Sequence, residues 1–179
     1  MASTRRTEMT KLLFRTALIE LMQEKPFHKI TVKEICEQAD LNRTTFYLHY
    51  SDQTQLLDDI VSKLEEDTSK HFASATGNED DIEKLTMHLD YIKDNEKIYR
   101  TITGGNLDDN IKTKIFRNML SDLNAKMPEW CGHIENPYVQ KFIISGCGST
   151  IFQWINNGFD METRDLAKLI YNLCKKATA

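Results

Sequence analysis

Glycine and proline are scarce in this chain, seven and three in 179 residues. These are the two residues that most readily end helices and open turns, so long stretches run without interruption. No segment alternates apolar and polar residues with β-branched enrichment. Apolar residues instead recur at three- and four-residue spacing almost throughout, which predicts an all-α fold of about nine helices. The length suffices for a true core, since a chain near 150 residues buries roughly 70% of its unfolded surface. At 40% apolar and 28% charged residues, disorder, collagen and a disulfide miniprotein are excluded. No apolar run approaches the ~18 residues of a membrane span, and nothing behind Met1–Arg6 reads as a signal peptide. Cysteines at 36, 131, 147 and 174 look like reduced thiols, so a cytoplasmic location is expected.

The first helix is expected from about Thr7 to Gln23, with Leu13, Phe14, Ala17, Leu18 and Leu21 as its apolar stripe and Lys25-Pro26 beyond its end. Thr31-Val32-Lys33-Glu34 fits a capping box: Thr31 caps the next helix and Glu34 reaches back. Val32, Ile35, Cys36 and Ala39 form its apolar face, Asp40-Leu41 turns the chain, and Asn42 caps a third helix over Arg43–Tyr50. Ser51 or Asp52 starts a long fourth helix to about Phe72, with Leu56, Leu57, Ile60, Val61 and Leu64 inside. Further helices are expected at about Glu79–Lys93, Glu96–Thr103, Asp108–Lys126, Tyr138–Asn157 and Glu162–Lys175. Gly104-Gly105-Asn106 and the Met127–Pro137 loop separate some of them, and Asn157-Gly158 supplies a left-handed cap.

The net charge is −4, yet its distribution is uneven: eight Lys/Arg stand against six Asp/Glu in residues 1–50, fifteen against twenty-one thereafter. A basic head on an acidic body permits a local nucleic-acid footprint. Residues 31–50 have helix-turn-helix anatomy, two short helices about a tight turn, the second offered to a DNA major groove. With Phe46 and Tyr50 inward, that helix leaves Arg43, Thr44, Thr45, Tyr47 and His49 outside. Arg43 suits guanine O6/N7, the threonines suit phosphate, base edge or thymine methyl, and Tyr47 and His49 suit phosphate oxygens. Arg5 and Arg6 read as a solvated tail that adds nonspecific attraction, or as a minor-groove arm.

The segment ITVKEICEQADLNRTTFYLHYSDQTQLL, residues 30–57, resembles the DNA-binding region of the TetR family of bacterial transcription regulators. Its recognition helix ends in the family's Tyr-x-His-aromatic signature, here Tyr47-Leu48-His49-Tyr50. The resemblance implies a DNA-binding domain over 1–52 and a helical effector-binding and dimerisation domain over 53–179. It implies Thr31 as a phosphate contact, Arg43, Thr44 and Thr45 as recognition-helix contacts, Tyr47 and His49 as backbone-facing contacts, and Asn42 as a contact at the helix start. Two positions depart from the pattern: Asp40 stands where the family usually has Gly, and Gln53 where it usually has Lys shortly after the recognition helix. Asp tolerates the left-handed conformation; the loss of Lys weakens one phosphate contact.

YVQKFIISGCGSTIFQWINNGFD, residues 138–160, resembles the penultimate helix of a TetR subgroup common in Gram-positive bacteria. Its small residues, Ser145, Gly146, Gly148 and Ser149, suit close helix approach. The last two helices are therefore expected to form a homodimer's four-helix bundle, pairing two heads on a palindromic operator in double-stranded DNA. Tyr91, Tyr99, Ile102, Phe116, Met119, Leu123, Phe142 and Trp154 are the candidates for lining an effector pocket; the same spacing also fits plain core. With no readable buried charge cluster, the small-molecule effector is expected to be apolar or aromatic. His88 reads as a core histidine. Cys131 and His133 fall in one expected loop; with Cys147 they would make a metal or thiol sensor only if three or four such ligands converge, and inert cysteines are the other reading. No cofactor and no metal is expected. No phosphate-binding glycine loop, nucleophile elbow or His-Glu-x-x-His is present, so an enzyme is not expected. The leading expectation is a repressor released from DNA by its effector. A transcriptional activator working through a protein partner and a metal- or thiol-responsive regulator are the alternatives.

Overall fold

The computed structural model describes residues 2–74, 81–115 and 136–178. All regular structure among the described residues is helical. In chain order it comprises α1 (Ala2–Glu24), a 3-10 turn (Phe27–Lys29), α2 (Val32–Gln38), α3 (Arg43–Tyr47), α4 (Gln53–Ser74), α5 (Asp81–Asp94) and α6 (Glu96–Thr103). A helical stretch over 109–115, α7, follows, then α8 (Pro137–Asn156) and α9 (Thr163–Thr178). Two compact units result: residues 1–64 with 104–109, and residues 65–103 with 110–179. α4 starts in the first and continues in the second.

The first unit is a three-helix head with the opening turns of α4. Phe14, Leu18, Met22, Ile35, Phe46, Leu56 and Leu57 are all at most 2% exposed. The Phe14 and Phe46 rings meet edge to face at 5.2 Å, a geometry favoured by the aromatic quadrupole. α1 begins five residues earlier than its sequence suggests and presents a rotated face. Leu12 and Leu13 are exposed, and Met22 takes the inner position. Nothing before Thr7 breaks a helix, and apolar residues on both sides of the stripe made its centre ambiguous. α3 is also shorter than expected. His49 N–H bonds back only three residues, to the Phe46 carbonyl at 2.9 Å, and so leaves the helical ladder.

A segment distant in sequence completes this unit. The Phe27 N–H donates to the Asn106 carbonyl at 2.8 Å, Asn106 Nδ2 donates to the Met22 carbonyl at 2.8 Å, and Leu107 is buried. The end of α1 and the 3-10 turn thus obtain partners for backbone groups that no helix satisfies.

In the second unit α9 packs on α5 and α8, and α8 packs on α6. Leu85, Leu89, Ile92, Ile102, Ile143, Ile151, Trp154, Leu166 and Ile170 form its core. His88 is buried, as expected. Pro137, assigned to a loop from sequence, is the first residue of α8 behind an Asn136 cap; its missing N–H costs nothing there. α9 divides its apolar residues. Leu166, Ala167, Ile170 and Cys174 point inward, while Leu169 and Leu173 are exposed.

Two helices end in the same way. After α8, Gly158 takes φ +79°, its N–H bonds the Ile155 carbonyl, and the Phe159 N–H bonds the Trp154 carbonyl at 2.9 Å. After α2, Asp40 takes φ +51°, its N–H bonds the Glu37 carbonyl, and the Leu41 N–H bonds the Cys36 carbonyl at 3.0 Å. Both are Schellman closures, with a left-handed residue just past the helix. The Asp40 turn therefore forms without glycine.

One polar network orients α3. Tyr50 Oη donates to Asp59 Oδ2 at 2.9 Å, Arg15 Nε donates to the same oxygen at 2.6 Å, and Lys11 Nζ stands 3.5 Å from Oδ1. Burial disfavours the Asp59 carboxylate, but bonds from Arg15 and Tyr50 outweigh it and hold its pKa below the ordinary value. Burial, then the bond to Asp59, raises the Tyr50 phenol. Asp59's contribution to stability is therefore complete above the ordinary carboxyl value near 3.8 and disappears as pH falls through the folded value. Tyr50's is complete below a phenol's ordinary pKa of about 10 and disappears as pH rises beyond it. In thermal unfolding across pH, Asp59→Asn should flatten the acid limb, and Tyr50→Phe the alkaline limb. Asp59→Ala, which strands the Arg15 guanidinium, should cost about 1–3 kcal/mol.

Candidate nucleic-acid interface

The outward surface of α3 is set by what its inward side buries. Phe46 is fully buried against Phe14, so residues about half a turn away must face water. Arg43 and Thr44 are exposed, and Tyr47 is 59% exposed. The Tyr47 ring stands edge-on to Phe46 at 5.6 Å, which supports its base while the hydroxyl end projects. His49 is partly exposed, its ring tilted against Tyr50 at 6.2 Å. The structure thus gathers Arg43, Thr44, Tyr47 and His49 about one short helix.

The remaining three candidates are engaged in shaping the motif. Asn42 Oδ1 accepts from the Thr45 N–H at 2.7 Å and from the Thr45 hydroxyl at 2.9 Å. Asn42 is the cap of α3, its Nδ2 hydrogens taking no part in those bonds; the Thr45 hydroxyl hydrogen is spent inside the cap. At Thr31 the capping box is complete. Its hydroxyl accepts from the Glu34 N–H at 3.3 Å and donates to Glu34 Oε2 at 2.8 Å, and its own N–H reaches Oε2 at 2.9 Å. Lys25 Nζ bonds the other Glu34 oxygen at 2.5 Å. The Lys25 bond first, then those from Thr31, hold the Glu34 pKa down to about 2. A carboxylate therefore already occupies the start of α2, and a phosphate contact through Thr31 has to exchange these bonds.

Between α2 and α3 runs an open groove of about 590 Å³, lined by Lys33, Cys36, Glu37, Asp40, Leu41, Asn42 and Arg43. Its two cations are balanced by two carboxylates, and Lys33 pairs with Glu37 at 3.6 Å, so the groove as a whole is not positive. Leu48, at the cap of α3, escaped the sequence reading although it is 75% exposed. The signal was present, because a residue two beyond Phe46 on a helix turns away from it; leucine's apolarity argued the other way.

Of the effector candidates, Tyr99, Ile102 and Trp154 are buried in the second unit, and Tyr91 is half-buried. Trp154 Nε1 donates to the Met161 carbonyl at 2.8 Å. Phe142 is 73% exposed on α8. Phe116, Met119 and Leu123, and likewise Cys131 and His133, lie outside the described residues. Among the described residues no three His, Cys, Asp or Glu side chains converge as metal ligands, and no helix is long and apolar enough to cross a membrane.

The chain spans at most about half the length of the curated relatives it matches. One is the dhaKLM operon transcriptional activator DhaS of Lactococcus lactis, 28% identical over 98 residues, 52% of this chain and 49% of DhaS. Among solved structures, a TetR transcriptional regulator from Streptococcus agalactiae superposes with a TM-score of 0.71 at 23% identity, covering 97% of this chain and 98% of that one. The regulator FadR of Bacillus subtilis, solved with stearoyl-CoA, gives 0.63 at 17% identity, over 93% and 98% of the two chains. These structures share the fold. A family model described as bacterial regulatory proteins of the tetR family matches residues 15–60, and one for a transcriptional regulator C-terminal region matches residues 80–176. Head and body thus agree independently, and the chain belongs to the TetR family of DNA-binding bacterial transcriptional regulators.

Proposed function

We propose that the protein is a homodimeric repressor that binds a palindromic operator through residues 1–52 and releases it when residues 53–179 take up a small apolar effector. The observation that carries the DNA-reading assignment is the exposure of Arg43, Thr44 and Tyr47 on a short helix that Phe46 anchors to the core. Arg43 supplies bidentate donors for a guanine edge, Thr44 a hydroxyl for base or phosphate. Tyr47 and His49 bind phosphates and fix the register. Asn42 contributes Nδ2 hydrogens at the helix start. Thr45 and Thr31 act chiefly by holding the caps. Such a role places the protein in the cytoplasm with double-stranded DNA.

Dimerisation is supported by an uncovered stripe on α8. Tyr138 is 85% and Phe142 73% exposed. With Lys141, Ser145, Gly146 and Ser149 they line a shallow hollow of about 450 Å³. Gly146 has nothing within 4 Å of the place its side chain would occupy, which leaves room for a second helix. Leu169 and Leu173 add an exposed apolar pair on α9. Two protomers joined by these helices present two heads, as half-sites on one face of DNA require. Effector release follows if the ligand prefers a body conformation that alters head spacing; α4, continuous from one unit into the other, is the element to carry the change. FadR's bound stearoyl-CoA supports an apolar effector. DhaS, an operon activator, supports the alternative sign, activation through a protein partner. Deleting the gene and reading neighbouring transcripts distinguishes the two.

Against a duplex selected from a random library, Arg43→Ala and Tyr47→Ala should each lower affinity about tenfold or more by fluorescence anisotropy, a loss of roughly 1–3 kcal/mol per contact. Unchanged binding by both would remove the DNA assignment. Light scattering should give twice the mass of one chain, and Phe142→Glu should return it to a single copy. A panel of fatty acyl-CoAs and small aromatic compounds should contain a ligand that raises the melting temperature with concentration and weakens operator binding in parallel.

A further inference from the structure

We propose that Leu48 reads a thymine methyl group, making it a base-discriminating residue of the recognition helix. This rests on the DNA-reading assignment above and goes beyond it by naming a base that the polar contacts do not select. Along α3, Thr44 and Leu48 form an i, i+4 pair, joined by a bond from the Leu48 N–H to the Thr44 carbonyl at 3.2 Å. At 100° per residue this pair stands farthest from Phe46, which is 0% exposed. Thr44 and Leu48 are therefore the outermost points of the helix, with Arg43 and Tyr47 as the adjacent row. Leu48, at 75%, is more exposed than any other large apolar side chain of the head; Tyr47 at 59% and Met9 at 54% come next. The C-cap keeps Leu48 in helical backbone at φ −72°, ψ −19°, so its direction is fixed by the same geometry that fixes Thr44.

An apolar group held out in water contributes nothing to folding and gains free energy only against another apolar surface. On the base edges of a major groove the largest apolar feature is the C5-methyl of thymine. Along α3 Leu48 shares its row with Thr44 and follows Tyr47, whose hydroxyls suit base edge or phosphate. The face thus combines polar contacts with one apolar contact.

The test uses the full chain and the duplex it selects from a random library, with deoxyuridine placed at each thymine in turn. Deoxyuridine keeps base pairing and removes only the methyl. Wild type should lose about fourfold at one thymine per half-site, the worth of one buried methyl group. Leu48→Ala should bind the thymine duplex about that much more weakly and show no further loss with deoxyuridine there. Leu48→Gln should shift selection toward adenine at the same position, since glutamine pairs with the adenine edge. Wild type indifferent to every deoxyuridine, Leu48→Ala retaining the full deoxyuridine effect, or a Leu48→Ala loss equal on selected and random DNA would each overturn the proposal; the last assigns Leu48 to the sugar-phosphate backbone. Failure of wild type to select any sequence would instead sink the DNA assignment on which the proposal stands.

Discussion

The head depends on the seating of Phe46. Its ring is wholly buried edge-on to Phe14, and Tyr50, one turn later, lies against the same pair and anchors its hydroxyl on Asp59. An α3 of five residues has too few backbone bonds to be stable alone. Its orientation comes from these side chains. Once Phe46 is inside, the outward directions of Thr44 and Leu48 follow from helical geometry, with Tyr47 and Arg43 exposed beside them. The binding surface is a by-product of the core.

Asp59 makes the seating directional. An aromatic cluster by itself tolerates rotation, because dispersion and burial are nearly isotropic. A carboxylate that accepts from Tyr50 and Arg15 together ties α3's exit, α1 and α4 to one point. It is partly buried, so leaving either partner unmatched is costly. The clamp thereby keeps the last turn of the recognition segment in one position, where the Tyr50 N–H also bonds the Phe46 carbonyl at 2.9 Å.

Much of this was legible in the residues. The Thr31–Glu34 box, the Asn42 cap and the inward set Leu56, Leu57, Ile60, Val61 and Leu64 stand as their spacing indicates, because caps and 3.6-residue periodicity are local. The left-handed Asp40 was legible as well, since a short turn requires one such residue and Asp accepts it. Less legible was how a wide apolar stripe divides. On α9 the run Leu166, Leu169, Ile170, Leu173 reads as one face, but only Leu166 and Ile170 go inside. On α1 the inner face is rotated away from Leu13 for the same reason.

Sequence by itself determined the helical class, the position of the helix-turn-helix and the identity of its outward polar residues, since each follows from neighbours within a few positions. Tertiary structure alone decided three matters. It made Asp59 the partner of Tyr50 and Arg15, brought Asn106 and Leu107 back to close the head, and left Phe142, Leu169 and Leu173 uncovered. Each is a contact, or a missing contact, between groups far apart along the chain, and a side chain's chemistry states what it can bind without stating which distant group the fold will set beside it.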